Sequence, residues 1–155
     1  MVIAKTAQIS GKTKLYVPPP DKFHIGDFCV ISVPELILSE GAQIDAGSKI
    51  VGDEKVVIGK YSVISYDCLL LTSADDPREA LASDYLPEEK RKRKTAPIAI
   101  GENVFVGSKS IIMPGVTVYD GAVIMPNSYI DSNVEDNKIR FASGEMEERK
   151  CRDKK

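Results

Sequence analysis

The sequence predicts an all-β fold in which a single chain winds as a parallel helix of very short strands, a triangular prism rather than a layered sheet. Three observations carry this. Aliphatic anchors recur every six residues, without a slip, at Ile100, Val106, Ile112, Val118, Ile124 and Ile130. The fifth place of each hexad is small or β-branched, at Val104, Ser110, Val116, Ala122 and Ser128. The third and fourth places are turn-formers, as in Pro114-Gly115, Asp120-Gly121 and Pro126-Asn127. Such a period fits neither a helix at about 3.6 residues per turn nor a long strand at about 2. It fits short strands separated by corners, with one large residue turned inward per face and three faces to a coil.

Taken in order, residues 1–24 offer Ile9-Ser10-Gly11 and Leu15-Tyr16-Val17 as an incomplete first coil, ended by Pro18-Pro19-Pro20. Prolines lack backbone donors, so this run belongs on a corner or an outward loop, a short lid over an otherwise unpaired edge. Anchors then run through Ile25 and Ile31, slip by one residue to Leu38, Ile44 and Ile50, slip again around Gly52-Asp53-Glu54-Lys55, and continue through Ile58, Ile64 and Leu70. The expected core is one stack of these anchors and the six above. The repeat is interrupted by a loop insertion, 73–97. Within it, Asp76-Pro77-Arg78-Glu79 reads as a helix cap, a proline at the first helical position and an acid at the third, so a short helical turn is expected through Ala80, Leu81 and Ala82. The charged run Glu88 to Lys94 follows. An insertion of this kind leaves one corner of a regular scaffold, where binding residues are commonly mounted. The last coil closes near Ser132 to Val134, and Ile139, Phe141 and Ala142 are placed to cross the lower edge. The expected organisation is therefore a β-helix domain over 1–144 and a charged tail over 145–155, frayed or weakly helical.

Composition narrows the function. A net charge of -2, from 21 basic and 23 acidic residues, gives no excess with which to hold a nucleic acid. Aromatics at 6%, with no Trp, supply no stacking platform for bases and suit a thin aliphatic core. No apolar stretch approaches the roughly eighteen residues of a membrane span, and MVIAKTAQISGKTK lacks a signal peptide's apolar region, so a cytoplasmic protein without membrane insertion is expected. Cys29 and Cys68 hold fifth places and read as buried small hydrophobes, leaving Cys151 in the tail open to oxidation.

The stretch IGENVFVGSKSIIMPGVTVYDGAVIMPNSYI, Ile100 to Ile130, resembles the hexapeptide repeat of left-handed parallel β-helices, and among them the hexapeptide-repeat acyltransferases. That resemblance implies a left-handed coil, an exception to the usual crossover rule. It also implies transfer of an acetyl group from acetyl-CoA to a sugar, amino-sugar or nucleotide-sugar acceptor, and a homotrimer with sites between neighbouring prisms. The alternative is a catalytically silent hexapeptide-repeat protein acting as a binding or scaffold subunit. A gamma-type carbonic anhydrase, also a trimeric left-handed helix, needs several imidazoles for zinc, whereas His24 is the chain's one histidine, so no metal site is expected.

In the resembled enzymes a His-Pro pair in the loop after this coil supplies the general base, and here that pair falls on Asp76-Pro77. The histidine's place is therefore taken by Asp76, with Asp75 beside it as the second candidate and His24 as the third. Asp76 reads more readily as a helix cap, since Pro77 and Glu79 complete that signature, Asp75 as a solvated loop acid and His24 as an ordinary surface or interface donor. An ordinary carboxylate is a poor base toward an alcohol, whereas an amine brings its own nucleophile. The resemblance also implies that the pantetheine arm of acetyl-CoA lies along the last coils, near backbone groups of Gly107, Ser108, Met125 and Ser128. Small residues at those places are equally what tight corners require. Lys90, Arg91 and Lys92 are candidates for attraction to its phosphates, or simply part of a solvated loop. The closing Gly-Asn-Pro-Ala-Lys segment common in the family is matched here by Gly144-Glu145-Met146-Glu147-Glu148, in which only the glycine remains.

Overall fold

The computed structural model describes residues 2–19, 22–76, 78–79 and 83–150, and the chain winds as a left-handed parallel β-helix. The first coil is β1 (Val2–Ile3), β2 (Gln8–Ile9) and β3 (Lys14–Tyr16). The second is β4 (Phe23–Ile25), β5 (Val30–Ser32) and β6 (Glu35–Leu38), and the third β7 (Ala42–Ile44), β8 (Lys49–Val51) and β9 (Val56–Ile58). The fourth begins with β10 (Val63–Ile64) and β11 (Leu69–Leu71). It is then interrupted by β12 (Ser73–Asp75) and β13 (Arg93–Thr95), and resumes at β14 (Ile98–Ile100). Below it lie β15 (Phe105–Val106), β16 (Ile111–Ile112) and β17 (Thr117–Val118), then β18 (Val123–Ile124), β19 (Tyr129–Ile130) and a bridge from Val118 to Val134. The chain ends in β20 (Lys138–Arg140) and β21 (Met146–Glu148).

Three parallel sheets form the faces. Face A stacks β1, β4, β7, β10, β15, β18 and β20; face B stacks β2, β5, β8, β11, β16 and β19; face C stacks β3, β6, β9, β14 and β17. The hexad anchors sit in register down each face, as in Ile25, Ile44, Ile64, Val106 and Ile124 on face A. Every anchor from Ile25 to Ile130 is at most 2% exposed. Cys29 and Cys68 are buried at fifth places, where burial holds both thiols above their usual range. Buried serines at the same place clip coil to coil. The Ser62 hydroxyl donates to the Gly101 carbonyl at 2.6 Å and accepts the Val104 amide at 3.0 Å.

Three features differ from the sequence expectations, and one expectation falls outside the described residues. The first coil is complete, each of its strands pairing with the coil below, and Pro18 and Pro19 follow it at the corner between faces C and A. The base of the insertion is an antiparallel hairpin, with Ser73 opposite Thr95 and Asp75 opposite Arg93. A turn stands at Arg78 and Glu79, while Pro77, Ala80, Leu81 and Ala82, on which the expected helix rests, lie outside the described residues, as does Cys151. The tail does not fray as far as it is described: β21 pairs antiparallel with β20, and the Arg149 guanidinium donates to the carbonyls of Gly121 at 2.7 Å and Asn103 at 3.3 Å. Reversing the chain there covers the last parallel edge of face A.

Both register slips and the insertion fall on one edge, the corner between faces B and C. The slips occupy Val33–Pro34 and 52–55 in successive coils, directly above the insertion. Gly52 in this corner has φ +132°, and a Cβ on it would stand 2.3 Å from the Thr72 hydroxyl, so no larger residue fits against the coil that launches the hairpin. Among the described residues no helix is long and apolar enough to cross a membrane.

Because the two-residue strands alternate strictly, Ile112 is fully buried while its neighbour Ile111 is only half-buried on the outer side of face B. Ile112→Ala should cost about 2–5 kcal/mol and leave a cavity, and Ile111→Ala roughly 1 kcal/mol, as read from urea unfolding midpoints at constant slope.

Candidate functional site

The site is built on the B–C corner. Strand β11 leaves face B at Leu71, and Thr72 and Ser73 turn the chain outward into β12. The Ser73 hydroxyl donates to the Asp53 carboxylate at 2.9 Å, accepts the Asp53 amide at 3.0 Å and lies 3.2 Å from the Thr95 hydroxyl. Arg93 also reaches Asp53, at 3.5 Å. The acidic corner of the coil above thus tethers the hairpin's base.

Beneath the hairpin is a cleft of about 370 Å³. Asp75, Asp76, Arg78 and Lys94 line it from the insertion. Met113 and Pro114, from the corner below, and Tyr129 and Asp131, from β19 and its end, form the opposite side. Its volume is in the range of small-molecule sites, and it joins an apolar floor to a few converging charges.

The two adjacent carboxylates have different surroundings. Asp76 Oδ1 accepts from the Arg78 amide at 3.0 Å and from Arg78 Nε at 2.9 Å, and Oδ2 accepts from the second guanidinium nitrogen at 2.8 Å. These hydrogen bonds to Arg78, first from its side chain and then from its backbone, hold the Asp76 carboxyl down at about 2. Asp75 is partly buried, and its Oδ1 is buried with no hydrogen-bond partner among the described residues. The structure therefore brings both aspartates to one cleft but leaves only Asp75 with an unused oxygen.

His24 is not brought there. It lies on β4, outward on face A, and face A is opposite the B–C edge of the triangular prism. Its neighbour in charge is Asp45, whose carboxyl is raised by burial and lowered by the imidazole. A hollow of about 280 Å³ at His24 is lined by Lys22, Phe23, Gly41, Ala42 and Gln43.

The basic run is largely compensated within its own loop. Lys90 ends a single 3-10 turn, Glu88–Lys90, while Arg91 pairs with Asp84 at 2.5 Å and Lys92 with Glu79. Gly107, Ser108, Met125 and Ser128 line the corner between faces A and B in the last coils. Their backbone groups are mostly used by the coils: the Gly107 amide donates to Ile124 at 2.8 Å, the Met125 amide to Arg140 at 2.9 Å and the Ile111 amide to the Ser128 carbonyl at 2.8 Å. The Met125 carbonyl accepts the hydroxyls of both Ser110 and Ser128. Ser128 is 2% exposed with its hydroxyl so engaged, and its side chain faces the prism rather than a groove. Tyr129 and Asp131 were not picked out by sequence reasoning, which took Lys94 only as the end of the charged run. Outward position on a two-residue strand was the available signal for Tyr129, and nothing in the order of residues pairs it with the insertion.

Comparisons with known proteins agree with this architecture. Residues 97–132 match the family model described as the hexapeptide repeat of succinyl-transferase. The chain is 26% identical over 140 residues to the dTDP-4-amino-4,6-dideoxy-D-glucose acyltransferase of Escherichia coli, covering 86% of this chain and 73% of that one. It is 29% identical over 112 residues to the galactoside O-acetyltransferase of Escherichia coli (strain K12), covering 68% of this chain and 53%, about half, of that one. The crystal structure of AntD, an N-acyltransferase from Bacillus cereus in complex with dTDP and 3-hydroxybutyryl-CoA, matches with a TM-score of 0.81 at 22% identity, over 97% of this chain and 79% of that one. At that identity the match establishes a shared fold.

The ion pair at Asp76 sets a measurable pH dependence. Its depressed carboxyl contributes stability that is present above its unfolded pKa, near ~3.9, and lost as pH falls through about 2. Carboxyl NMR should give Asp76 a midpoint near 2, and Arg78→Ala should return it toward the ordinary range.

Proposed function

We propose that this hexapeptide-repeat left-handed β-helix protein, related to sugar and antibiotic O- and N-acetyltransferases, transfers an acyl group from an acyl-CoA to a carbohydrate or nucleotide-sugar acceptor, with an amine as the nucleophile. The observation that carries the reading is Asp75, a residue of the cleft whose carboxylate has one buried oxygen without a partner among the described residues. An acceptor left unpaired at a buried place is costly until a donor meets it, and an amine offers N–H donors.

An acyl-CoA supplies an activated thioester carbonyl. On the protein's side, Asp75 holds the acceptor's ammonium, orients it and receives a proton from it, so that the neutral amine's lone pair forms the C–N bond as the C–S bond of the thioester breaks, and the CoA thiolate leaves as the thiol with the proton that the attacking nitrogen gives up. An alcohol has no such lone pair of comparable reactivity and needs a base matched to neutral pH. Asp76 at about 2 is poorly matched, and its part is to close the hairpin's turn on Arg78. His24 on face A can serve a cleft only from a neighbouring prism.

We place the acyl-CoA along the A–B edge of the last coils, past Gly107, Ser108, Met125 and Ser128. Because the coils already use most of the amides there, the fit rests on slim corners and on the exposed Met125 thioether, with the spare lone pairs of corner carbonyls as acceptors. Lys90, Arg91 and Lys92 add a longer-range attraction to phosphate, reduced by Asp84 and Glu79. The A–B edge and the cleft border the same face B, whose outer side carries Leu69, Ile111 and Tyr129 in register. A neighbouring prism covering that apolar strip gives a homotrimer with the site at the boundary. Acetyl is the expected group.

Amino sugars and matched hydroxyl sugars, incubated with acetyl-CoA or 3-hydroxybutyryl-CoA and resolved by mass, should yield N-acyl products. Asp75→Asn should lower kcat/KM by about 10²–10⁴-fold, the usual worth of a positioned acid or base. Faster O-acylation that survives replacement of Asp75, Asp76 and His24 together would defeat the reading. Absence of acyl-CoA binding by calorimetry would instead favour a scaffold subunit. Sedimentation at micromolar concentration should give a trimer, and monomer alone removes the shared site.

A further inference from the structure

We infer that Lys94 is the residue through which the cleft selects an acceptor carrying a negative group, a phosphate ester or a carboxylate, as well as its nucleophile. The inference rests on the acyl-transfer reading in taking the cleft as the acceptor's place.

Strand β13 sorts the basic run by alternation. Arg93 and Thr95 turn back toward the base of the hairpin, Arg93 to Asp53 and Thr95 to Ser73. Lys94, between them, lines the cleft. Its ammonium lies over the corner below: a Cβ on Gly115 would stand 3.6 Å from Lys94 Cε and 3.7 Å from Nζ, and 3.2 Å from the Ala96 methyl. Gly115 has φ +83°, a conformation that favours glycine, and the end of the lysine side chain rests within van der Waals reach of this turn.

Two cations line the cleft, and they are not equivalent. The Arg78 guanidinium is held on Asp76 by side-chain contacts at 2.8 and 2.9 Å, which neutralises both. Lys94 forms no ion pair among the described residues, in contrast to Arg91, Lys92 and Arg93 around it. With Asp76 and Arg78 cancelled, the remaining charges are Lys94 against Asp75 and Asp131. A cleft with a cation over one corner and carboxylates on its other walls is complementary to a ligand bearing both signs, its amine on Asp75 and its anion on Lys94. A lone ammonium is a point charge with three donors, suited to phosphate or carboxylate oxygens without fixing their geometry.

The test uses glucosamine 6-phosphate and glucosamine as probes, which differ in the anionic group alone. Calorimetry on the full chain measures affinity, and acetyl transfer from acetyl-CoA is followed in parallel. The phosphorylated amine should bind about 10- to 100-fold more tightly, the range of one charge-assisted hydrogen bond. That ratio should fall toward one in Lys94→Met and be largely kept in Lys94→Arg. Lys60→Met, which removes the same charge at the distant corner between faces C and A, should leave it intact. Melting temperatures verify that all variants fold. An unchanged ratio in Lys94→Met, no preference in the wild type, or no binding of either probe overturns the inference. Transfer to both amines without preference would reject Lys94 and keep the acyl-transfer reading. A Lys94-dependent preference without transfer would do the reverse.

Discussion

Every corner of this prism has to turn the backbone within about two residues and still leave no buried amide unpaired. The coils meet this demand in two ways. The second turn residue takes a left-handed conformation, at Gly41, Tyr61, Asn103, Gly121 and Asn137 down one edge and at Phe28, Gly47, Asp67, Lys109 and Asn127 down another. The residue that re-enters the face is then small, and where it is serine its hydroxyl donates to a carbonyl and accepts an amide of the next coil's corner. A left-handed bulky residue is disfavoured by roughly 1–2 kcal/mol, so Phe28 and Tyr61 hold that conformation because the ladder above and below fixes their backbones.

The same demand explains why the candidate site stands where it does. The A–B edge keeps its tight turn through the described coils, the C–A edge lengthens once, between Tyr16 and Phe23, and the B–C edge departs repeatedly. It lengthens by one residue at Val33–Pro34, by two around Gly52 and Asp53, and finally opens into the hairpin. A chain that leaves the ladder there returns to face C in register, Ile98 pairing with Val56 and Ile100 with Ile58. The insertion therefore costs the scaffold little, and its base is tied to the lengthened corner above through Asp53 and Ser73. The longer corner becomes a support for the loop that carries Asp75 and Lys94.

Charge at this site is decided by subtraction. The chain places five consecutive cations at 90–94 and two consecutive acids at 75–76, and a count of either suggests a strong field. Pairing removes most of it: Arg78 takes Asp76, Asp84 takes Arg91, Glu79 takes Lys92, and Asp53 draws Arg93. Surface ion pairs of this kind add little stability. Their consequence is that Lys94, set apart from Arg93 by the alternation of its strand, reaches the cleft without an ion pair among the described residues, while Asp75, opposite Arg93, keeps one oxygen without a partner among them.

The anchors from Ile25 to Ile130, the small fifth places and the edge of the insertion were legible in the sequence because they are local. A period of six is written into consecutive residues, and each anchor's burial follows from its own place in the hexad. The hairpin at Ser73–Asp75 and Arg93–Thr95 was not legible, since its strands lack apolar alternation and are joined by residues far apart in order. Nor was the reversal at Met146–Glu148, where an edge needing cover recruits a polar segment with no strand signal of its own. The sequence alone could nominate Asp75, Asp76 and His24 by residue type, but not their surroundings. Winding the chain decided those, setting His24 on the face opposite the cleft, giving Asp76 an arginine two residues away, and bringing Tyr129 and Gly115 from later coils beneath Asp75 and Lys94. Side chains on different coils meet only through the pitch and the corner count of the helix, and that is a property of the whole stack rather than of any hexad within it.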